Sequence, residues 1–306
     1  MGAGIGGPVV NRVAFVGVGN MGWPMAANLV RAGFEVTVHD ADAPRAARFA
    51  VEHGARAATS VVDLAGVECV VTMLPTGRDV ASALLDGEHG QRLVDVIARG
   101  AVVVDMSSAD PVGTRVLGEQ LASFGIELLD APVSGGVPRA VDGTLAIMVG
   151  GTAGVLDRVR PVLAELGDRM FEVGSLGCGH AMKALNNFVA GTAFVAAAEA
   201  VLVGERFGLD PTVMMDVMNV STARCFNTES VMKQHVISRE FATGFTLGLL
   251  AKDVGIAAEL AGAIGHPEPL ARDIVERLAA ARDHVGAERD HTSAVTYWEM
   301  LIDDRV

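Results

Sequence analysis

Three stretches of this chain hold residue types at spacings that chemistry can use. Gly17, Gly19 and Gly22 form a G-x-G-x-x-G pattern in VAFVGVGNMG, after an apolar run and before an apolar helix-like stretch. In that context the first glycine permits a tight turn, the second lets the backbone approach a pyrophosphate, and the third allows close helix packing. The phosphates then face the unpaired N–H groups of a helix N-terminus. Gly2, Gly4 and Gly7 match the same pattern, but only Met1 precedes them and no strand can deliver a turn there. Asp40 stands where a carboxylate can accept hydrogen bonds from an adenosine ribose and repel a 2′-phosphate, which favours NAD over NADP. The plainer alternative is an Asp that caps the next helix, and Arg45 nearby keeps NADP open.

The second stretch is DAPVSGG, where Ser134, Gly135 and Gly136 follow a strand end. A Ser hydroxyl and exposed backbone N–H groups there can cradle a carboxylate, although an ordinary Ser-Gly-Gly loop reads the same way. The third is GCGHAMKALNNFVAG, where Lys183 and Asn187 share one helical face, one turn apart. A lysine in an apolar helix often snorkels. Here a polar neighbour and an expected domain junction point instead to a ligand site. A desolvated Lys183 could act as general acid/base on a hydroxyl or carbonyl oxygen that Asn187 positions.

Elements must deliver these groups. Short apolar runs at 12–16, 35–40, 67–74, 101–106, 126–130, 145–149 and 169–173 alternate with amphipathic stretches such as 21–32, 44–53, 78–85 and 111–124. That alternation predicts a doubly wound, mostly parallel Rossmann sheet with helices on both faces. From 179 to 207 one Ala-rich pattern is apolar nearly all round, and helix-like stretches follow at 211–219, 229–238, 250–264, 269–285 and 294–302. A helix apolar on all sides is buried on all sides. The expected organisation is a disordered extension at 1–11, a dinucleotide-binding α/β domain at 12–175, and an all-helical substrate and dimerisation domain at 176–306 built on that long central helix.

Composition narrows the partners. A net charge of −13 over 306 residues argues against nucleic acid and anionic membrane. Cys69, Cys178 and Cys225 are too few and too scattered for a disulfide framework or a zinc site, which fits a cytoplasmic setting and no metal. The opening MGAGIGGPVV lacks the basic region of a signal peptide. The apolar run 188–198 ends at Glu199, short of the ~20 residues of a membrane span. Lysine is scarce: Lys183, Lys233 and Lys252 are the three in the chain. The leftover apolar surface of the long helix predicts a homo-oligomer.

Taken in order, GVGNMGWPMAANL, MLP (73–75), DMSS (105–108), DAPVSGG, the GxGxxxKxxNN of 177–187 and the KDVGIA from Lys252 resemble the β-hydroxyacid dehydrogenase family, which includes 3-hydroxyisobutyrate dehydrogenase, tartronate semialdehyde reductase and threonate dehydrogenases. The resemblance runs from Arg12 to Asp304. It implies an NAD- or NADP-dependent oxidoreductase acting on a small anionic 3-hydroxy acid, with Lys183 catalytic, Ser134, Gly135 and Gly136 on the substrate carboxylate, and Asn187 on the substrate. It adds Asn20 and Met21 in the glycine-rich turn, and Leu74, Pro75, Ser108, Phe245 and Lys252 beside the nicotinamide. Asp253 would orient Lys252 or serve as a structural ion-pair partner. An imine or carbonyl reductase on the same fold and a non-catalytic NAD-binding regulator are the alternatives. The segment STARCFNTES (221–230) departs from the tryptophan-containing loop of the 3-hydroxyisobutyrate enzymes. There Arg224, Asn227 and Thr228 would favour a more polar acid, unless Arg224 is an ordinary exposed loop residue. Pro138 and Arg139 replace small residues. His180 reads as a capping or solvent residue, and Asp290-His291-Thr292 as a helix cap.

Overall fold

The computed structural model describes residues 10–87, 91–267 and 269–303. It divides into two compact units, one ending at Lys183 and the other beginning at Ala184.

The first unit is built on a sheet of nine described strands: β1 (Arg12–Val16), β2 (Glu35–His39), β3 (Arg56–Ala57), β4 (Cys69–Thr72), β5 (Val102–Asp105), β6 (Glu127–Asp130), β7 (Val133–Ser134), β8 (Ala146–Gly150) and β9 (Arg169–Gly174). The order is β3-β2-β1-β4-β5-β6-β8-β7, with β9 also paired to β8. Strands β3 through β6 in that order run parallel, β8 is antiparallel to β6 and β7, and β9 is parallel to β8. The first six positions give the Rossmann order, whose direction reverses between β1 and β4, where such sheets bind ligands.

Alternation along the strands explains why the sheet is covered on both faces. Val13 and Phe15 of β1 join one apolar cluster, while Ala14 and Val16 join another; Val104 and Val103 of β5 divide the same way. Helices α1 (Gly22–Arg31) and α2 (Ala43–His53) cover the first face, α3 (Gly77–Leu85), α4 (Leu93–Val96) and α5 (Pro111–Ser123) the second. Helices α6 (Gly136–Asp142) and α7 (Ala153–Ala164) return the chain to the first face. Elements as short as β3, β7, α4 and α6 span too few residues to show a period and fall outside the sequence expectation.

Of the extension expected to be disordered, residues 1–9 lie outside the described residues. Val10 is buried in the first core, and Asn11 donates its backbone N–H to Glu68. The chain is therefore fastened two residues before β1.

The second unit is helical: α8 (Cys178–Phe207) from Ala184 onward, α9 (Pro211–Asn219), α10 (Phe226–Ser230), a π-helical turn (Met232–Ile237), α11 (Leu247–Ala263), α12 (Pro269–Val285) and α13 (Ala294–Asp303). Its core joins Phe194, Ala198 and Leu202 of α8 to Leu250 and Val254 of α11 and Ile274 and Leu278 of α12. The single helix expected at 229–238 is α10 followed by the π turn. It starts earlier because Thr228 Oγ1 accepts the Cys225 N–H at 2.9 Å and closes a capping box. By length and composition α8 could cross a bilayer, contrary to the shorter run read from sequence; its most apolar stretch has a mean hydropathy of 1.6 and is half buried, as a core helix is.

Candidate functional site

The glycine-rich turn joins β1 to α1 at the switch point. Gly17 has φ +95°, and a Cβ there would lie 2.4 Å from the Met73 carbonyl; a Cβ on Gly22 would lie 1.9 Å from the Gly17 carbonyl. Both must be glycine. A Cβ at Gly19 would meet no atom within 4 Å, so its bare backbone faces open space. Asn20 is exposed and Met21 half-buried on the same turn. Helix α1 begins with no side-chain cap and no acid in its first turn; Trp23 donates its N–H back to the Gly19 carbonyl at 2.9 Å and Pro24 has none to give. This arrangement fits a dinucleotide pyrophosphate.

Asp40 follows β2. Its Oδ2 accepts the Val18 N–H of the turn at 2.8 Å, and its Oδ1 accepts the Asp42 N–H at 2.8 Å. The helix cap is Asp42, which accepts from Arg45 N–H, so the capping alternative falls on a different residue. Arg45 reaches Asp40 at 3.5 Å and Asp42 at 3.3 Å.

Next to the turn, the ends of β4 and β5 are tied through Asp105. Its buried Oδ1 accepts from Thr72 Oγ1 at 2.9 Å and from Ser107 N–H at 3.0 Å, and Ser107 Oγ accepts the Leu74 N–H at 2.9 Å. Leu74 and Pro75 thus leave β4 from a fixed point, with Ser108 half-buried beside the buried Ser107. The DMSS motif pointed to its second serine; the first holds the loop.

The end of β6 carries Asp130, fully buried, which accepts Gly177 N–H at 2.8 Å and His180 N–H at 2.7 Å. This carboxylate caps α8 from another strand, in the place where negative charge is favoured. Cβ atoms on Gly150 and Gly179 would fall 2.3 Å from Asp130 Oδ1 and 2.4 Å from the Met148 carbonyl, so two glycines let α8 start directly against the sheet. His180, read from sequence as a capping or solvent residue, is buried. Thr114 Oγ1 donates to the Asp110 carbonyl and lies 2.8 Å from His180 Nδ1, so it accepts the ring N–H. Lys183 is half-buried one turn further on, and Asn187 one turn beyond it on the same continuous helix. At the sheet edge, Ser134 of β7 pairs with Ala146 of β8, and exposed Gly135 and Gly136 follow at φ +136° and +67°. Arg139 packs over Gly135, where a Cβ would come within 2.5 Å of its Cδ.

Within the helical unit, Asn187 Nδ2 donates to Asp253 Oδ2 at 2.6 Å, and Lys252 Nζ lies 3.3 Å from Asp253 Oδ1. The carboxylate therefore gathers two of the expected residues. Phe245 precedes α11 in a loop that Asp290 and His291 brace. Asp290 Oδ2 accepts from Thr243 Oγ1 at 2.7 Å and Gly244 N–H at 2.9 Å, and the Phe245 carbonyl accepts the His291 N–H at 2.9 Å. Burial alone would raise Asp290, but hydrogen bonds from Thr292 and Thr243 carry it below the ordinary carboxylate value; burial holds His291 below 6.5. In the 221–230 loop, Asn227 Nδ2 donates to the Ala190 carbonyl at 2.9 Å, Thr228 closes its capping box, and Arg224 pairs with Glu229 at 2.5 Å. These groups have partners inside the unit.

Residues 12–174 match the family described as the NAD binding domain of 6-phosphogluconate dehydrogenase, and 177–298 the family described as NAD-binding of NADP-dependent 3-hydroxyisobutyrate dehydrogenase. The chain is 40% identical to the 3-hydroxyisobutyrate dehydrogenase of Pseudomonas aeruginosa over 90% of its own length and 95% of that protein. It is 34% identical to the 2-(hydroxymethyl)glutarate dehydrogenase of Eubacterium barkeri over 95% of both. Among solved structures, the 3-hydroxyisobutyrate dehydrogenase of Mycobacterium tuberculosis with L-serine superposes with a TM-score of 0.86 at 33% identity, covering 95% of this chain and 99% of the other. With its dinucleotide turn, its Rossmann strand order and its relatives matched along nearly the whole length, this chain belongs to the β-hydroxyacid dehydrogenase family.

Proposed function

We propose that the protein oxidises a small 3-hydroxy acid, or reduces the matching semialdehyde, with Lys183 as general acid/base. The observation that carries this reading is the placing of Lys183 and Asn187 one turn apart on α8, Lys183 being the last residue of the unit that holds the dinucleotide turn. 3-Hydroxyisobutyrate, 2-(hydroxymethyl)glutarate and L-serine, named with the relatives, share one fragment: a primary alcohol carbon attached to the carbon that bears a carboxylate. We assign that fragment to this chain's substrate.

The Ser134 hydroxyl and the N–H groups of Gly135 and Gly136 would hold the carboxylate. Asn187 and Lys183 would take the hydroxyl. In oxidation neutral Lys183 Nζ accepts the hydroxyl proton; in reduction the ammonium returns it. Bound NAD(P) supplies the hydride chemistry. Gly17, Gly19, Asn20, Met21 and Gly22 would hold its phosphates, Asp40 its ribose, and Leu74, Pro75, Ser108, Phe245 and Lys252 would border its nicotinamide. Asp40 favours NAD, and 12–175 and 176–306 are the cofactor and substrate domains. A homo-oligomer is supported by Leu185, Val189 and Val203 on one side of α8, 45%, 64% and 63% exposed. The three free cysteines suit a reducing cytoplasm.

The test is a turnover panel of 3-hydroxyisobutyrate, L-serine, 2-(hydroxymethyl)glutarate, glycerate and threonate with each cofactor. Turnover confined to acids with the shared fragment is expected. Turnover of none of them, by a protein that binds NAD, would overturn the reading.

A further inference from the structure

We infer that Asp253 is a positioning residue whose buried carboxylate sets which way the Asn187 amide faces, and so which donor and acceptor Asn187 presents to a ligand. The inference rests on the role proposed above for Asn187. Asp253 on α11 is 3% exposed and Asn187 on α8 is 7% exposed. Their bond, Nδ2 to Oδ2, is 2.6 Å long.

The two ends of a carboxamide are nearly the same size but opposite in hydrogen-bonding sense. A carboxylate only accepts, so only the NH2 end of Asn187 can face it. Asn186 holds the other end, its Nδ2 donating to Asn187 Oδ1 at 3.1 Å. One Nδ2–H and one lone pair of Oδ1 then remain in a fixed order for a bound hydroxy acid.

The second carboxylate oxygen strengthens the case. Asp253 Oδ1 is buried and makes no hydrogen bond, yet Lys252 Nζ lies 3.3 Å away. The ammonium thus meets the carboxylate oxygen that Asn187 leaves open. A hydrogen bond to an ionised acceptor is about twice as strong as one between neutral groups, so the preferred amide orientation is firmly held. A merely structural ion pair with Lys252 would not need Asn187 as a third member.

Asp253→Asn keeps shape and removes the obligate acceptor. With 3-hydroxyisobutyrate or L-serine and NAD, its kcat/KM should fall about tenfold or more, the scale of a lost charge-assisted bond. In an Asn187→Ala background the same change should cost less than about twofold, because residues acting through one another are not additive. In protein labelled with 15N-asparagine, the Asn187 side-chain NH2 signals, identified by their loss in Asn187→Ala, should move in Asp253→Asn. Equal losses in both backgrounds, or unmoved NH2 signals, overturn the inference while Lys183→Ala and Asn187→Ala remain impaired. Full turnover by Lys183→Ala or Asn187→Ala would remove the underlying reading, and the inference with it.

Discussion

An ammonium and a guanidinium differ most where a proton must leave. Lys183→Ala should lose kcat by about 100-fold or more while NAD binding persists, and Lys183→Arg should be nearly as impaired because guanidinium does not release its proton near neutral pH. Single-turnover kinetics and calorimetric titration with NAD check the pair; an active Arg variant would remove proton transfer from this lysine. Asp40 governs the cofactor at the same scale. Its carboxylate meets the Val18 N–H and the Arg45 guanidinium, so Asp40→Ser removes a charge repelling a 2′-phosphate and leaves Arg45 to attract one. The ratio of kcat/KM for NADP to that for NAD should rise about tenfold or more. Asp40 was legible from its spacing to the glycines. The capping by Asp130 and the bond of Asp253 to Asn187 were not, because those partners lie 47 and 66 residues away along the chain and only folding brings them together, whereas Asp253 beside Lys252 was read from the sequence.

At the level of elements, period and punctuation were enough for the central sheet and the long helices. Strands with both faces buried announce themselves as apolar runs, and Pro211 and Pro269 begin α9 and α12 where expected. What sequence missed was short or set by tertiary caps, as in β7, α6 and the early start of α10. The turn between β1 and α1 is the least tolerant of these elements. Gly22→Ala places a methyl 1.9 Å from the Gly17 carbonyl, and should abolish measurable NAD binding and destabilise the protein by about 2–4 kcal/mol. Thermal unfolding and NAD titration check it; near-native values for both would mean that α1 can shift. Cys69 tests the burial of β4. Desolvation pushes its thiol up to about 12, so Cys178 and Cys225 should react with a thiol reagent under native conditions and Cys69 only after unfolding.

For the molecule as a whole, acid is the informative stress. Burial keeps His291 neutral in the folded chain, so on acidification the unfolded chain takes up this proton first. The corresponding stability is present above the unfolded value of 6.5 and is lost as pH falls from there through the folded value. Asp290, also held below its ordinary 3.8, adds a second loss further down. The unfolding midpoint should therefore drop between about pH 7 and 5, and His291→Asn should flatten that drop; an unchanged slope would place the titration elsewhere. Light scattering tests the homo-oligomer, and Val189→Glu should shift it toward smaller species if the exposed side of α8 is the contact.

The capping of α8 by Asp130 bears on how such a chain could be taken apart or recombined. The division between its compact units falls inside a helix, six residues after that helix begins. A gene cut ahead of Gly177 leaves the nucleotide module with a buried anion stripped of both its N–H donors, whereas a cut after Lys183 leaves it whole. The exchangeable unit is thus the sheet together with the first turns of α8, and a module transplanted without them would arrive with its own internal fault.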